Sequence, residues 1–321
     1  MKLKLDFSFP NIPLKIDYSS PIISLGSCFS DEISKKLQFA GFNVNDNPFG
    51  VLFHPLAILN VLNSSLLESK DVAVFKREDL FFSWDASSKV YAMSEDTIRE
   101  KVVSIREELH QSILEAKVIV LTFGSSFQYS IEKSGIVGNC HKAPQSVFEK
   151  KMSTVEEMYL PWFSLIQKVK EINPKIQFLL TVSPVRHVKD GLVENNRSKS
   201  RLIELTHQLV ESFDDVYYYP SYEIMMDELR DYRFFANDLV HPNQKAVDYI
   251  WEHFKSKTMD VELYDLVGKV EKLKKSFLHR SLHPDSEATR LFQIKLEEQK
   301  LELMRENKDI NWSKNTEGKS F

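Results

Sequence analysis

Two cysteines, Cys28 and Cys140, are all the thiol chemistry the chain contains. That is too few for the disulfide framework of a secreted scaffold and is compatible with a reducing compartment. Long apolar runs are missing as well. The strongest are of the type VIVL at residues 118 to 121, far short of the roughly 20 residues needed to cross a bilayer. The opening segment, MKLKLDFSFPNIPLKID, carries lysines but meets Asp6, Pro10, Asn11 and Pro13 before an apolar run of signal-peptide length develops. A cytoplasmic protein with no membrane partner is therefore expected. Neither sign of charge dominates: 42 Lys plus Arg stand against 46 Asp plus Glu, a formal net charge of -4. Nucleic acid is accordingly excluded as an expected partner, because no long-range attraction draws it in. Internal repeats and low-complexity tracts are also lacking. What the 321 residues do supply is material for one large domain, or a domain with an appendage, around a sizeable core.

Short apolar runs alternate with longer helical patterns, which predicts an α/β domain of parallel strands joined by crossover helices. Strands are expected at 21–26 (PIISLG), 42–45 (FNVN), 117–123 (KVIVLTF), 176–183 (IQFLLTVS) and 215–220 (DVYYYP). The third and fourth are apolar throughout and rich in β-branched residues, as strands buried on both faces should be. A helix is expected from Phe29 to Phe39, with Asp31 and Glu32 in its favourable first turn. Ile98, Val102, Ile105, Leu109 and Ile113 recur at helical spacing, as do Leu160, Phe163, Ile166 and Val169, so both sets predict core-facing helices. Residues 72–94 read as an inserted β-hairpin or meander. The domain is placed at residues 1–258. From 259 to 321 a charged helical extension follows, packing back on the domain or serving as the surface of a homo-oligomer, with residues 311–321 frayed.

In an open parallel sheet, ligands bind outside the carboxyl ends of the strands. The segments that follow the five predicted strands are polar: Gly26, Ser27 and Cys28; Asn45 to Gly50; Gly124, Ser125 and Ser126; Arg186 and His187; and, beyond the fifth, Asp238 and His241. Ser27 sits between a glycine and a helix start, where its N–H and the positive helix end can stabilise an oxyanion. The plainer role for such a serine is an N-cap. A serine nucleophile needs a base, and NDLVHP supplies one. Asp238 and His241, three apart, are close enough on one turn for the carboxylate to fix the imidazole tautomer and leave the other nitrogen to take the serine proton. Catalysis by Cys28 or Cys140 is the lesser alternative, since free cysteines are usually small buried residues. No metal site is expected, because His141, His187, His241 and Asp238 lack ligand spacing. Arg186 has two readings, a clamp for a substrate anion or a structural partner for Asp231 or Glu223.

The run LGSCFS at 25–30 resembles the opening motif of the GSCFA family, a branch of the SGNH/GDSL-like hydrolases, with Ser30 where the name motif has alanine. NPFG at 47–50, GNCHKAP at 138–144, TVSPVRHVKDG at 181–191 and PSYEIMMDELRDYRFFANDLVHP at 220–242 are similar to further segments of that family. The resemblance implies a three-layer, flavodoxin-like, doubly wound sheet. It implies Ser27 as nucleophile, and Asp238 with His241 as the acid and base of the D-x-x-H block. It also implies that the N–H of Gly50, at the second SGNH block, serves the oxyanion hole with that of Ser27. The third block is Gly-x-Asn-Asp in the wider superfamily, whereas here Gly124, Ser125, Ser126 and Phe127 stand in its place. Ser126 or Asn139 is left to supply the missing donor.

The expected activity is hydrolysis or transfer of an ester-linked short acyl group, acetyl being the simplest case, through an acyl-Ser27 intermediate and without any cofactor. Asn47, His141, Arg186 and His187 form the expected polar rim, which favours a small-molecule or carbohydrate ester. The rival is a non-catalytic module that keeps the same cleft for a glycan or nucleotide-sugar.

Overall fold

The computed structural model describes residue 9, residues 11–279 and residues 281–312; the start of the chain at 1–8 and its end at 313–321 lie outside the described residues. Five strands build the central sheet: β1 (Ile22–Gly26), β2 (Val44–Asp46), β3 (Val118–Phe123), β4 (Gln177–Val182) and β5 (Val216–Tyr219). All pair in parallel, and the order β5-β4-β3-β1-β2 is the flavodoxin-like doubly wound order. The register aligns Gly26 of β1 with Thr122 of β3, and Thr122 with Thr181 of β4, so three strands end side by side.

The alternation of side chains along β3 explains the three layers. Ile119, Leu121 and Phe123 face one core, with α2 (Pro55–Leu66), α3 (Glu95–Glu115), α4 (Val155–Ile172) and α5 (Gly191–Ser212) packed on it. Val118 and Val120 face the other, covered by α1 (Cys28–Phe39), α6 (Gln244–Thr258) and α7 (Val261–Leu278). Two details of the expected helix faces are corrected. On α4 Ile166 and Val169 are buried and Phe163 packs on the core as read, but Leu160 is exposed, because at the start of the helix the buried stripe runs through Met158 and Trp162 instead. On α3 the buried Arg106 joins the apolar positions; its guanidinium is paired with Asp85 at 2.9 Å and donates to the Asp71 carbonyl at 2.6 Å.

That arginine anchors the insertion at 72–94, which is a three-stranded antiparallel meander of Val74–Arg77, Leu80–Ser83 and Tyr91–Ala92. A second antiparallel sheet, not anticipated, follows β3: Phe127–Ile131 pairs with both Gly135–Ile136 and Glu149–Met152. Its alternation is masked by the glutamate and two lysines of the Glu149–Met152 strand.

The C-terminal extension packs back on the domain. Val267, Val270 and Leu273 of α7 enter the core shared with α1, and Leu296 of α8 (Glu287–Glu306) joins them. Asn311 and Trp312 are not frayed: the Asn311 N–H donates to the Gly41 carbonyl at 2.7 Å, and the Trp312 ring is buried. Among the described residues, no helix is long and apolar enough to cross a membrane.

Candidate active site at the carboxyl edge of the sheet

β1 ends on Gly26, whose φ of +148° and position against β3 explain the glycine, since a Cβ there would lie 2.3 Å from the Thr122 carbonyl oxygen. This tight exit delivers Ser27 directly into the N-cap of α1. Its N–H donates to the Thr122 carbonyl at 3.1 Å, and its Oγ accepts from the Phe29 N–H at 3.4 Å. Ser27 is 0% exposed and makes no hydrogen bond with His241 among the described residues.

Asn47, in a left-handed conformation at φ +40°, braces the turn around Ser27. Its Oδ1 accepts from Gly26 N–H at 2.8 Å, while its Nδ2 donates to Ser30 Oγ at 2.7 Å and to Asp31 Oδ1 at 2.5 Å. Its side-chain amide is therefore spent inside the fold rather than offered to a ligand. The Gly50 N–H, expected at the oxyanion hole, donates to the Asn47 carbonyl at 2.6 Å. Gly50 has φ +71°, and a Cβ on it would meet Ser87 Oγ at 1.9 Å, so it is where the meander is held against the central domain.

Asp238 and His241 are brought together as expected from their spacing. Leu239 takes φ +59° and closes a turn in which Asp238 Oδ1 accepts the N–H groups of Val240 (2.9 Å) and His241 (3.0 Å). Asp238 Oδ2 lies 2.7 Å from His241 Nδ1. The two backbone N–H donors, with the imidazole, hold the Asp238 carboxyl well down, at about 2. The pair is half exposed, and the Val240 carbonyl is tied to the N–H of Arg186 at 3.3 Å, which docks this turn on the loop after β4.

Arg186 does not pair with Asp231 or Glu223. Its guanidinium lies over the rings of Phe235 at 4.3 Å and Tyr232 at 5.4 Å, and Glu223 instead accepts the Tyr218 hydroxyl at 2.7 Å. His187 stands edge-on to Phe53 with ring centroids 5.2 Å apart. Burial, with the neighbouring Lys199 and His241, pushes its pKa down to about 3, so its imidazole is neutral. Ser126 turns away from the sheet edge: both its N–H (2.8 Å) and its Oγ (3.1 Å) donate to Ser198 Oγ. Asn139 lines a cleft beside Arg186 and His187, with Oδ1 accepting from His141 N–H at 2.7 Å.

His141 also reaches that cleft, but both ring nitrogens are engaged, at 3.0 Å from Ser88 Oγ and 3.0 Å from the Ser83 carbonyl. Burial lowers its pKa to about 4, and its ring packs against Phe75, Phe82 and Trp84. The GNCHKAP segment is thus a clasp between the two small sheets. His54 caps α2 through Nδ1, which accepts from the Leu56 N–H at 3.1 Å, as a helix-start residue should. Burial raises the pKa of both Cys28 and Cys140, which opposes a thiolate at either. Among the described residues, no group of three or more His, Cys, Asp or Glu side chains is arranged to hold a metal ion.

One residue escaped the sequence reading. Lys199 of α5 is fully buried, and its Nζ donates to the carbonyls of Gly124 and Ser183, each at 2.7 Å. It ties together the loops leaving β3 and β4. Its signal was positional: it shares a helix face with Leu202, Leu205, Thr206 and Leu209, all buried.

A parallel sheet of this order, carrying a serine at the exit of β1 and an Asp–His turn before α6, defines an α/β protein with a polar carboxyl edge. The family description GSCFA matches residues 21–254, from β1 through most of α6, and the chain belongs to the GSCFA family. No curated protein matches it.

Proposed function

We propose that the chain is a serine-dependent ester hydrolase or acyl transferase acting on a short acyl group carried by a polar alcohol. The observation that carries this reading is the Asp238–His241 pair, joined at 2.7 Å on a turn whose Val240 carbonyl accepts the N–H of Arg186 in the loop after β4; Ser27 stands at the exit of β1 in the same sheet. Asp238, bound through Oδ1 to two backbone N–H groups, uses Oδ2 to keep the His241 proton on Nδ1. That leaves Nε2 as the basic nitrogen. Ser27 Oγ attacks the ester carbonyl as His241 Nε2 takes its proton, and the imidazolium, stabilised by Asp238, returns the proton to the departing alcohol. Water or a second hydroxyl then resolves the acyl-Ser27 ester. The α1 N-terminus supplies positive potential to the oxyanion. For this chemistry Ser27 Oγ must leave its 3.4 Å contact with the Phe29 N–H and be uncovered toward His241.

That requirement is also what favours a second reading. A serine that is 0% exposed and caps α1 is equally the mark of a non-catalytic module that binds a glycan or nucleotide-sugar at the same edge. A fluorophosphonate separates the two. The catalytic reading expects stoichiometric labelling of Ser27 and, in Ser27→Ala, a loss on the order of 10⁴ to 10⁶ in kcat on an activated acetyl ester. Retention of more than about a tenth of activity by folded Ser27→Ala, a change of only about 1.4 kcal/mol, rules out Ser27 as nucleophile.

A further inference from the structure

Between the antiparallel sheet after β3 and the loop after β4 runs a cleft of about 430 Å³, of the size of small-molecule sites. Phe127 and Tyr129 form one wall; Arg186, His187 and Lys189 form the other, with Lys142 also on the lining. Its charge is unbalanced. The one lining carboxylate, Asp190, is already paired with Lys150. Lys142, Arg186 and Lys189 have no acidic partner among the described residues. The Arg186 guanidinium is stacked on Phe235 and, among the described residues, spends a single donor, from Nη2 to Met226 Sδ at 3.7 Å, which leaves most of its N–H groups for a ligand. His187 Nε2 is buried with no hydrogen-bond partner among the described residues. An interior polar atom of that kind is normally satisfied, and here it belongs to a residue lining the cleft.

Resting on the ester chemistry proposed above, we propose that this cleft holds the carrier of the acyl group, and that the carrier is an anionic, hydroxyl-rich molecule. Its negative group is bound by Arg186, Lys142 and Lys189, and a hydroxyl is bound by His187 Nε2. Two sources share this chemistry, a sugar carboxylate and a sugar phosphate. The aromatic wall gives the ring of either a surface to lie on.

Calorimetric titration of the full chain with digalacturonate, glucose 6-phosphate and cellobiose tests the proposal, and running it in both the native sequence and Ser27→Ala separates it from catalysis. The expected result is that one anionic probe binds at least about tenfold more tightly than cellobiose, equally in the two proteins; the better anion tells carboxylate from phosphate. In Lys142→Ala/Lys189→Ala, two exposed positions whose loss should not unfold the chain, the preference should shrink by about tenfold. Equal binding of cellobiose, no binding of either anion at about 10 mM, or an undiminished preference in the double variant overturns it. Loss of the catalytic reading has a different signature: anion binding intact with no ester cleavage and no labelling of Ser27.

Discussion

Replacing Lys199 by methionine tests how the site is built, because the native residue is a buried amine whose hydrogen-bond partners among the described residues are two backbone carbonyls. Burial lowers its pKa from an ordinary 10.5 to about 7. A base depressed in this way binds a proton more readily in the unfolded chain than in the native one throughout that interval. Stability therefore rises with pH from about 7 toward 10, and below about pH 7 the protein carries the whole cost of the buried charge, on the order of 5 kcal/mol. Lys199→Met shortens the side chain by one atom, keeps its unbranched shape and removes the proton. The carbonyls of Gly124 and Ser183 then lose a donor, at about 1 to 3 kcal/mol each, but that loss does not vary with pH. The difference in unfolding free energy, native minus Lys199→Met, should consequently grow by about 2 kcal/mol between pH 7 and pH 9. Urea unfolding followed by circular dichroism at pH 6, 7, 8 and 9 measures it, and groups unaffected by the substitution cancel in the difference. A difference that stays flat within about 0.5 kcal/mol across that range refutes the buried, depressed amine.

Asp238→Asn should lower kcat/KM on the order of 10³ to 10⁴. Because the native carboxyl is held down at about 2 and is ionised throughout the working range, that factor should be fully present at pH 8, above the usual imidazole range; equal activity of the two proteins at pH 8 would show that the carboxylate does not orient His241. Gly26→Ala should fail to fold or lose at least about 3 kcal/mol in urea unfolding, since the new Cβ meets a backbone carbonyl of β3 that cannot move aside; a stable variant would mean that the tight exit delivering Ser27 is not required. Acetyl esters of a chromogenic alcohol should be cleaved with higher kcat/KM than decanoyl esters, because burying a long tail against Asn139, Arg186 and His187 leaves their polar groups unsatisfied at about 1 to 3 kcal/mol each; a preference for decanoyl would overturn the short-acyl reading.

The strands and their order of use were legible because each carries its own signal. Val118–Phe123 and Gln177–Val182 are apolar on both faces, which only a sheet covered by helices on both sides demands, and the helices between them repeat at their own period. The second antiparallel sheet was not legible. Its strand Glu149–Met152 reads EKKM, and Lys150 finds its place through a contact far along the chain, over the Phe127 ring at 4.6 Å, while Lys151 pairs with Glu157 at the start of the next helix at 2.7 Å. Nor was the burial of Trp312, which depends on α8 returning the chain to the α1 side of the domain.

At the site, the same division separates what spacing can specify from what only packing can. Asp238 and His241 are three residues apart and meet through one turn, so their contact is local and the motif announces it. Ser27 is likewise local as an N-cap, since the cap needs only the helix that follows. Where these two local features sit in the fold is not local: the exit of β1 is set by its register with β3 and β4, and the Asp–His turn is docked on the loop after β4 through the Arg186 N–H. Lys199, 61 residues beyond the GNCHKAP glycine Gly138 and without motif of its own, is what joins two of those loops. A polar residue whose role is to hold other polar segments in place leaves only helical periodicity in the sequence, and a lysine on an apolar helix face is the form that trace takes here. His141 shows the converse. A histidine beside a cysteine and a lysine in a polar loop has the composition of a ligand site, yet both of its nitrogens are occupied by the meander, because the loop that carries it must itself be fixed before Asn139 and Lys142 can line the cleft.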